Sequence, residues 1–493
     1  MSEKAIKPKS VKVNYAYNLA YEIFVLLTPL ITTPYISRVL GPSGVGVYSF
    51  THSLVQYFLV FGNLGVATYG QMAIAAARDD REKVSTIFYE LWILRFCTLL
   101  LSLVAYLFFS MHSGLYREER LLQSILILAA MFDLTWLLRG VEDFSKVVLR
   151  NVAIKLMMIA MIFAFVKTRD DVNVYILLMA VATLLGNLTF LFTLRGILTR
   201  VDPRKLDPLQ HLPQCIVYFI PTIATSVYKL IDKSMLGFLL EGTSENGFYE
   251  QAHRIEEILV VVITSLNTIM RSRMSFLYRQ NRLEEMRRRL EQSLSFILLI
   301  SIAMCMGLIG IAKTFVPLFL GSEFDRSIVL LQIFSVLIVL IGLSNCLNTH
   351  YLAPSGRQGK NNVILIFGAI LNFILNYLSI PRYGALGAAA ASVIAEAVIL
   401  IGYLYQSRDF LQARELLRLG WRYLAAGAVM LLCVAALERL PYSPVAVLAI
   451  QVAAGAVVYF GMVFLLRDPF VKQHARSALQ MLLRKMKRNG EKA

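Results

Sequence analysis

The feature that most constrains this chain is a succession of about fourteen apolar stretches, each near or above the roughly 20 residues that carry a helix across a bilayer. They cover residues 14–39, 45–76, 84–110, 120–141, 147–167, 173–198, 213–240, 247–270, 290–319, 327–353, 361–380, 384–406, 420–437 and 443–466. The connections are too short to hold a folded soluble domain. Hydrocarbon offers a backbone N–H or C=O no water, so each stretch reads as a helix that satisfies its own hydrogen bonds. Composition agrees, with 57% hydrophobic residues, 16% charged and a mean hydropathy of +0.62. A soluble domain carries about 25% charged residues. The pattern excludes a soluble enzyme, a disordered chain and a secreted disulfide scaffold. The five cysteines stand alone in apolar surroundings, without zinc or thioredoxin spacing, and read as core filler.

A net charge of +17 has two readings, a phosphate-binding nucleic-acid surface or an orientation signal. Position decides. Basic clusters recur once per helical hairpin: Lys4 to Lys12, Arg78 to Lys83, Arg139 to Arg150, Arg195 to Lys205, Arg271 to Arg289, Arg357 and Lys360, Arg408 to Arg418, and Arg467 to Lys492. The alternate loops hold about one fifth as many cations, which is the asymmetry of cytoplasmic against external loops. Both termini are therefore expected in the cytoplasm, with an even number of spans and no nucleic-acid partner. The basic tail is placed to touch anionic lipid. The N-terminal segment lacks the apolar core and cleavage site of a removable signal peptide.

A weak internal repeat appears at an offset of 201 residues. GVYSFTH, from Gly46 to His52, returns as GFYEQAH, from Gly247 to His253, at the same place in each half. The expected fold is all-α and polytopic, with two six-helix lobes related by pseudo-two-fold symmetry and a C-terminal helix pair. Its parts are a basic tail (1–13), an N-lobe (14–200), a C-lobe (201–407), accessory helices (408–466) and a second basic tail (467–493). Transporters built from such repeats hold substrate where the repeats meet and rock one against the other.

Ionisable groups inside a membrane need a partner, a wet cavity or a function. The first span carries Asn14, Asn18 and Glu22 along one face, with Arg38 near its outer end. The second carries Tyr48, His52 and Gln56, and Arg95 lies near mid-depth of the third. Lys229, Asp232 and Lys233 share one face of the seventh span, and Glu250, Arg254 and Glu257 one face of the eighth. On one reading these groups satisfy each other, Lys229 with Asp232 and Arg254 with Glu250 or Glu257, while Arg38 snorkels outward. On the favoured reading Arg38, Arg95, Lys229, Lys233 and Arg254 line a water-filled cavity of net positive charge. Such a cavity selects an anion, and arginine's fork suits pyrophosphate oxygens. Asn372 and Asn376 share a face and read as hydrogen bonds between helices. Tyr48, His52, Gln56 and Asn18 are candidates to meet sugar hydroxyls. No catalytic constellation, phosphate-binding Walker loop or metal-spaced cluster appears, so the chain reads as a transporter without a bound cofactor or metal.

Several segments resemble the bacterial polysaccharide flippases, the O-antigen and capsule repeat-unit exporters of the multidrug/oligosaccharidyl-lipid/polysaccharide exporter superfamily. TPYISRVLGPSGVGVYSF resembles their first outer turn, NLGVATYGQMAIAAARDD the end of their second span, and WLLRGVEDFSKVVLRNVAIKL their fourth-to-fifth turn. YFIPTIATSVYKLIDKSMLG resembles their seventh span. FLGSEFDRS and LNFILNYLSIPRYGALGAAAASVIAE resemble the ninth-to-tenth loop and the eleventh-to-twelfth hairpin. Ser272, in IMRSRMS, stands where the family usually has proline. The resemblance spans about residues 12–405. It implies transfer of an undecaprenyl-pyrophosphate-linked oligosaccharide from the inner to the outer leaflet of the bacterial cytoplasmic membrane. It also implies that the five cations hold the pyrophosphate. A proton or sodium gradient would couple through Asp232, Glu22 or Glu257. The partners it implies are membrane lipids, a polysaccharide polymerase and glycosyltransferases. Rival readings are a lipid II or teichoic-acid precursor flippase and a cation-coupled small-molecule exporter.

Overall fold

The computed structural model describes residues 11–141, 144–194 and 197–472, and every regular element among them is helical. The chain packs as two compact units, Met1–Glu250 with Asn376–Gly384, and Gln251–Leu375 with Ala385–Ala493. The boundary falls inside one continuous helix instead of in the loop near residue 200.

The first unit holds α1 (Val11–Asn63), α2 (Val66–Ala77), α3 (Arg81–His112), the short α4 (Arg117–Gln123), α5 (Ile125–Met131) and α6 (Thr135–Gly140), α7 (Phe144–Phe165), α8 (Val172–Leu188), α9 (Leu191–Leu194) and α10 (Leu212–Leu239). The start of α11 (Ser244–Arg279) completes it. Gly41, at φ +67° and ψ −179°, breaks α1 into two arms, 11–40 and 42–63. A residue with a Cβ pays a steric penalty in that left-handed region, and the proline that follows needs no N–H partner at a helix start. The expected span 120–141 is helical but broken into three at Ser124 and at residues 132–134. Asp80 starts α3 by accepting the Glu82 and Lys83 N–H groups, both at 3.1 Å. Around the buried Trp136, Phe88 stacks with a centroid distance of 5.6 Å beside Leu91 and Ile74.

Two glycines set the closest approach in this unit. A Cβ on Gly46 would lie 1.7 Å from the Thr243 carbonyl oxygen, and one on Gly247 would lie 1.9 Å from that of Pro42. Positions 46 and 247, like 42 and 243, differ by the 201 residues of the sequence repeat, so each contact is the counterpart of the other. The Ser49 hydroxyl donates to Glu250 Oε2 at 2.8 Å across the same interval.

The second unit contains the rest of α11, then α12 (Leu283–Phe319), α13 (Arg326–Leu347), a five-residue π-helix (Asn348–Leu352), α14 (Gln358–Tyr383) as far as Leu375, α15 (Ala385–Gln406), α16 (Ala413–Ala436) and α17 (Pro444–Leu465). Helix α12 packs against α13, α16 and α17. Tyr459 donates to the Leu299 carbonyl at 2.8 Å and Gln451 to that of Val434 at 3.1 Å, so the last hairpin is joined to α12 and to itself by buried hydrogen bonds. Cys215, Cys305 and Cys346 are buried filler, whereas Cys97 is exposed.

Among the described residues ten helical stretches are long and apolar enough to cross a membrane, or eleven if the bent pair Pro208–Ile220 and Thr225–Leu239 is one span. Two of the differences from the expected fourteen have visible physical reasons. Leu27–Ala77 counts as one stretch although Gly41 divides it. Helix α11 is too charged in its first half, where Glu250, Arg254, Glu256 and Glu257 lie, to pass on apolarity. Large apolar side chains on the outside, Leu101, Phe192, Leu432 and Val457 among them, suit contact with lipid and would be insoluble in water.

Candidate functional site

The Lys229, Asp232 and Lys233 face of α10 is where helical spacing placed it, but its members have different environments. Asp232 is 7% exposed, and its carboxylate accepts the Tyr249 hydroxyl and, at 2.5 Å, the Asn376 side-chain amide. Lys233 Nζ lies 2.7 Å from Glu250 Oε2, the oxygen that also accepts Ser49. Asn246 donates to the Lys233 carbonyl at 2.6 Å, and Tyr57 and Ser234 share a hydrogen bond of 2.8 Å. The second arm of α1, α10 and the start of α11 are therefore joined by a buried polar core with one ion pair and a second carboxylate. Burying charge among apolar helices costs several kcal/mol per ion unless hydrogen bonds and counter-charge offset it, and here both are present. Lys229 is exposed. Asn376 forms the interhelical hydrogen bond expected of it, with Asp232 as its acceptor.

The other expected cavity residues divide. Arg38 is exposed at the end of the first arm of α1. Arg95 is 3% exposed, and its donors are taken up inside the first unit. Its Nε reaches Asn63 Oδ1 at 2.9 Å, and its two terminal nitrogens reach the Asp133 carbonyl at 2.6 Å and carboxylate at 3.3 Å. It ties the end of α1 to the break before α6, which departs from the expectation of a cavity-facing cation. Arg254 is half-buried in the second unit.

The sugar-facing candidates also turn inward. Tyr48 is buried, its ring centroid 5.2 Å from that of His52 and 4.9 Å from that of Tyr175. His52 lies 3.1 Å from the Gln56 amide and 3.4 Å from Gln123. The stripe joins α1 to α4 and α8 instead of lining open space. The side chains of Asn18 and Glu22 lie outside the described residues. Glu257 is exposed, whereas its neighbour Glu256 is buried, at 2% exposure. Sequence reading missed Glu256, Ser49 and Tyr249. The last two share the repeat segments around Gly46 and Gly247, which was the available signal. No group of three or more potential metal ligands converges among the described residues.

The family model for polysaccharide biosynthesis proteins matches residues 11–270, and the MatE model matches 218–378. A protein of Escherichia coli (strain K12) named as an O-antigen transporter is 25% identical over 381 residues, covering 76% of this chain and 91% of the relative. One of Shigella dysenteriae with the same name is 22% identical over 382 residues, covering 76% and 94%. Among solved structures, the lipid II flippase MurJ in an inward closed conformation superposes with a TM-score of 0.75 at 16% identity, covering 93% of this chain and 100% of that one. An inward-facing multidrug resistance MATE family transporter of the MOP superfamily gives 0.58 at 17% identity, covering 78% and 98%. A family match over more than half the chain, on a multi-pass helical fold like those of MurJ and the MATE transporter, places this protein in the polysaccharide biosynthesis protein family.

Proposed function

We propose that the chain is a flippase that moves an undecaprenyl-pyrophosphate-linked oligosaccharide from the inner to the outer leaflet of the bacterial cytoplasmic membrane. It works by alternating access through a cationic cavity, with both termini in the cytoplasm. The observation that carries this reading is the exposure of Lys229 on a spanning helix whose neighbouring charges, Asp232 and Lys233, are already hydrogen-bonded or paired. A charge in a spanning helix needs water or a counter-ion, and a pyrophosphate supplies the counter-ion. Arg254, half-buried in the second unit, is a further candidate cation, while Arg95 ties the end of α1 to the break before α6. Lys233 joins when pyrophosphate oxygens displace the Glu250 carboxylate from its ammonium. Asp232 is the carboxylate best placed to exchange a proton or sodium ion, because it is buried and already held by neutral donors. The reciprocal Gly46 and Gly247 contacts within the first unit support an internal duplication of the chain, as two six-helix lobes require.

Export needs no ATP on this reading. One charge crossing 100 mV changes energy by about 2.3 kcal/mol, so an anionic headgroup leaving a negative-inside cell moves downhill. Membrane lipids surround the carrier, and a polymerase and glycosyltransferases would act on either side of it. The test is complementation of a flippase-deficient strain. Lys229→Ala and Arg254→Ala should abolish surface glycan at unchanged membrane abundance, and full export by both would contradict the cavity. A lipid II precursor flippase, favoured only by the MurJ likeness in fold, would instead rescue a strain depleted of peptidoglycan precursor export.

A further inference from the structure

The second unit contains a small polar cavity further along α11, beginning ten residues beyond Arg254. Its volume is about 240 Å³, and it is lined by Thr264, Asn267 and Arg271 of α11, Asn345 of α13 and Thr349 of the π-helix that follows. The α11 residues recur at i, i+3 and i+7, and the other two at i and i+4, so each helix presents one polar face. Among the described residues the five that line it all carry polar groups, unlike the greasy, dry lining of a packing defect. A π-helical turn widens the backbone locally and is a frequent mark of functional sites.

The hydrogen bonds inside the cavity are incomplete in a definite way. Asn267 is 1% exposed and donates to Asn345 Oδ1 at 2.9 Å, yet its own carbonyl oxygen has no partner among the described residues. Of the Asn345 amide, the oxygen is engaged by Asn267, while the nitrogen has no hydrogen-bond acceptor among the described residues. Exchanging O and N in both amides preserves this count, so the pair always offers one acceptor and one donor. The Thr264 and Thr349 hydroxyls donate to the carbonyls of Val260 at 2.9 Å and Asn345 at 2.7 Å, which leaves their lone pairs as acceptors. Arg271 is exposed and has no ion pair among the described residues.

The set is thus one cation, one amide donor and several acceptors. A bare anion satisfies the cation and the donor but not the acceptors. A sugar ring supplies hydroxyls that donate and accept. The volume lies under the roughly 300–1,000 Å³ typical of pockets for drug-sized ligands, which suits one ring and not a chain. We propose that this cavity is a sugar subsite that takes a single ring bearing a negative charge, with Arg271 on the charge and the Asn267–Asn345 pair on hydroxyls. It deepens the flippase reading and rests on it, by giving the carrier a way to select among glycans. The charge can be the carboxylate of an acidic sugar or the phosphate on a sugar's anomeric carbon.

The test is saturation-transfer NMR on the purified full chain in nanodiscs, with glucuronic acid, glucose 1-phosphate, glucose and inorganic phosphate as probes. At least one charged sugar should bind, and glucose and phosphate should each bind about tenfold more weakly, the scale of one charge-assisted hydrogen bond. Preference for glucuronic acid assigns the charge to an acidic sugar, and preference for glucose 1-phosphate assigns it to the glycosyl phosphate. Arg271→Gln, at an exposed position, should weaken the favoured probe by about tenfold, and the near-isosteric Thr349→Val should weaken it less. Equal affinity in the wild type and both variants would overturn the subsite. So would binding of phosphate as tight as that of the charged sugars, or binding of none of the four. Translocation of lipid-linked glycan, measured separately in proteoliposomes, reports on the flippase reading itself, so the two can fail independently.

Discussion

Two ion pairs of similar chemistry occupy contrasting places in this molecule. Lys233 and Glu250 meet inside the first unit, with side chains 18% and 9% exposed. Arg357 and Asp409 meet in the second unit, in the turns that flank α14 and α15, at 32% and 49%. The exposed pair closes a small clip. Arg357 donates to the Gln406 carbonyl and to both Asp409 oxygens, and Tyr351 donates to Asp409 at 2.8 Å while stacking on Phe410. Water solvates such a pair whether formed or broken, so its net value is small. The more buried pair has little water to fall back on, so each partner depends more on the other. A charge kept where it is costly points to use, and one kept where it is cheap points to tidy loop geometry.

The largest effect should come from the crossing that brings the buried pair together. Gly46→Val would force side-chain atoms into the Thr243 carbonyl, backbone that cannot step aside, and should remove folded protein from the membrane fraction. Normal abundance would mean that the approach is not needed. Next, Lys233→Met or Glu250→Leu alone should lower stability in detergent by about 3–5 kcal/mol, because the remaining charge is buried without its partner. The double variant should regain most of that loss but not transport. Equal destabilisation in all three would show that the pair acts by shape alone.

The smallest effect belongs to the clip. Asp409→Asn should cost no more than about 1 kcal/mol. The Arg357 guanidinium, with burial opposing it, holds the Asp409 carboxyl down at about 2, well below its ordinary 3.8. A carboxylate whose folded value is depressed stabilises fully above its unfolded value, and that contribution disappears as pH falls from about 4 to about 2. Melting temperatures measured down this range should fall more steeply for wild type than for Asp409→Asn. Parallel curves would remove the clip from the account.

Much of the fold was legible because apolarity and helix length are recorded directly in sequence. From α12 to α17 most span ends agree with the apolar stretches to within a few residues, although α12 and α16 each begin seven residues earlier, in charged sequence. Helix α11 evaded the apolarity test once built, since its first half is charged, and the break at Ser124 left no mark in a stretch without proline or glycine. The site was legible in residue type and only partly in pairing. Spacing along a helix shows i+3 and i+4 neighbours, so Lys229–Asp232 was visible as a candidate while Lys233–Glu250, across a turn between two helices, was not. Arg95 is legible in sequence as a cation near mid-span, but its partners Asn63 and Asp133 are brought to it only by packing. The repeat was the weakest sequence signal, at three identities in seven positions. It became informative once Gly46 and Gly247 were seen to make reciprocal contacts.

The central claim, that exposed cations in apolar helices carry a pyrophosphate-linked glycan across, is tested most directly in proteoliposomes. The purified chain would be reconstituted with a fluorescent undecaprenyl-pyrophosphate oligosaccharide, and arrival of the glycan at the opposite leaflet followed with an impermeant glycosidase. The account predicts protein-dependent translocation that stops in Lys229→Ala and continues in Asp409→Asn. Equal translocation by wild type and Lys229→Ala would contradict it.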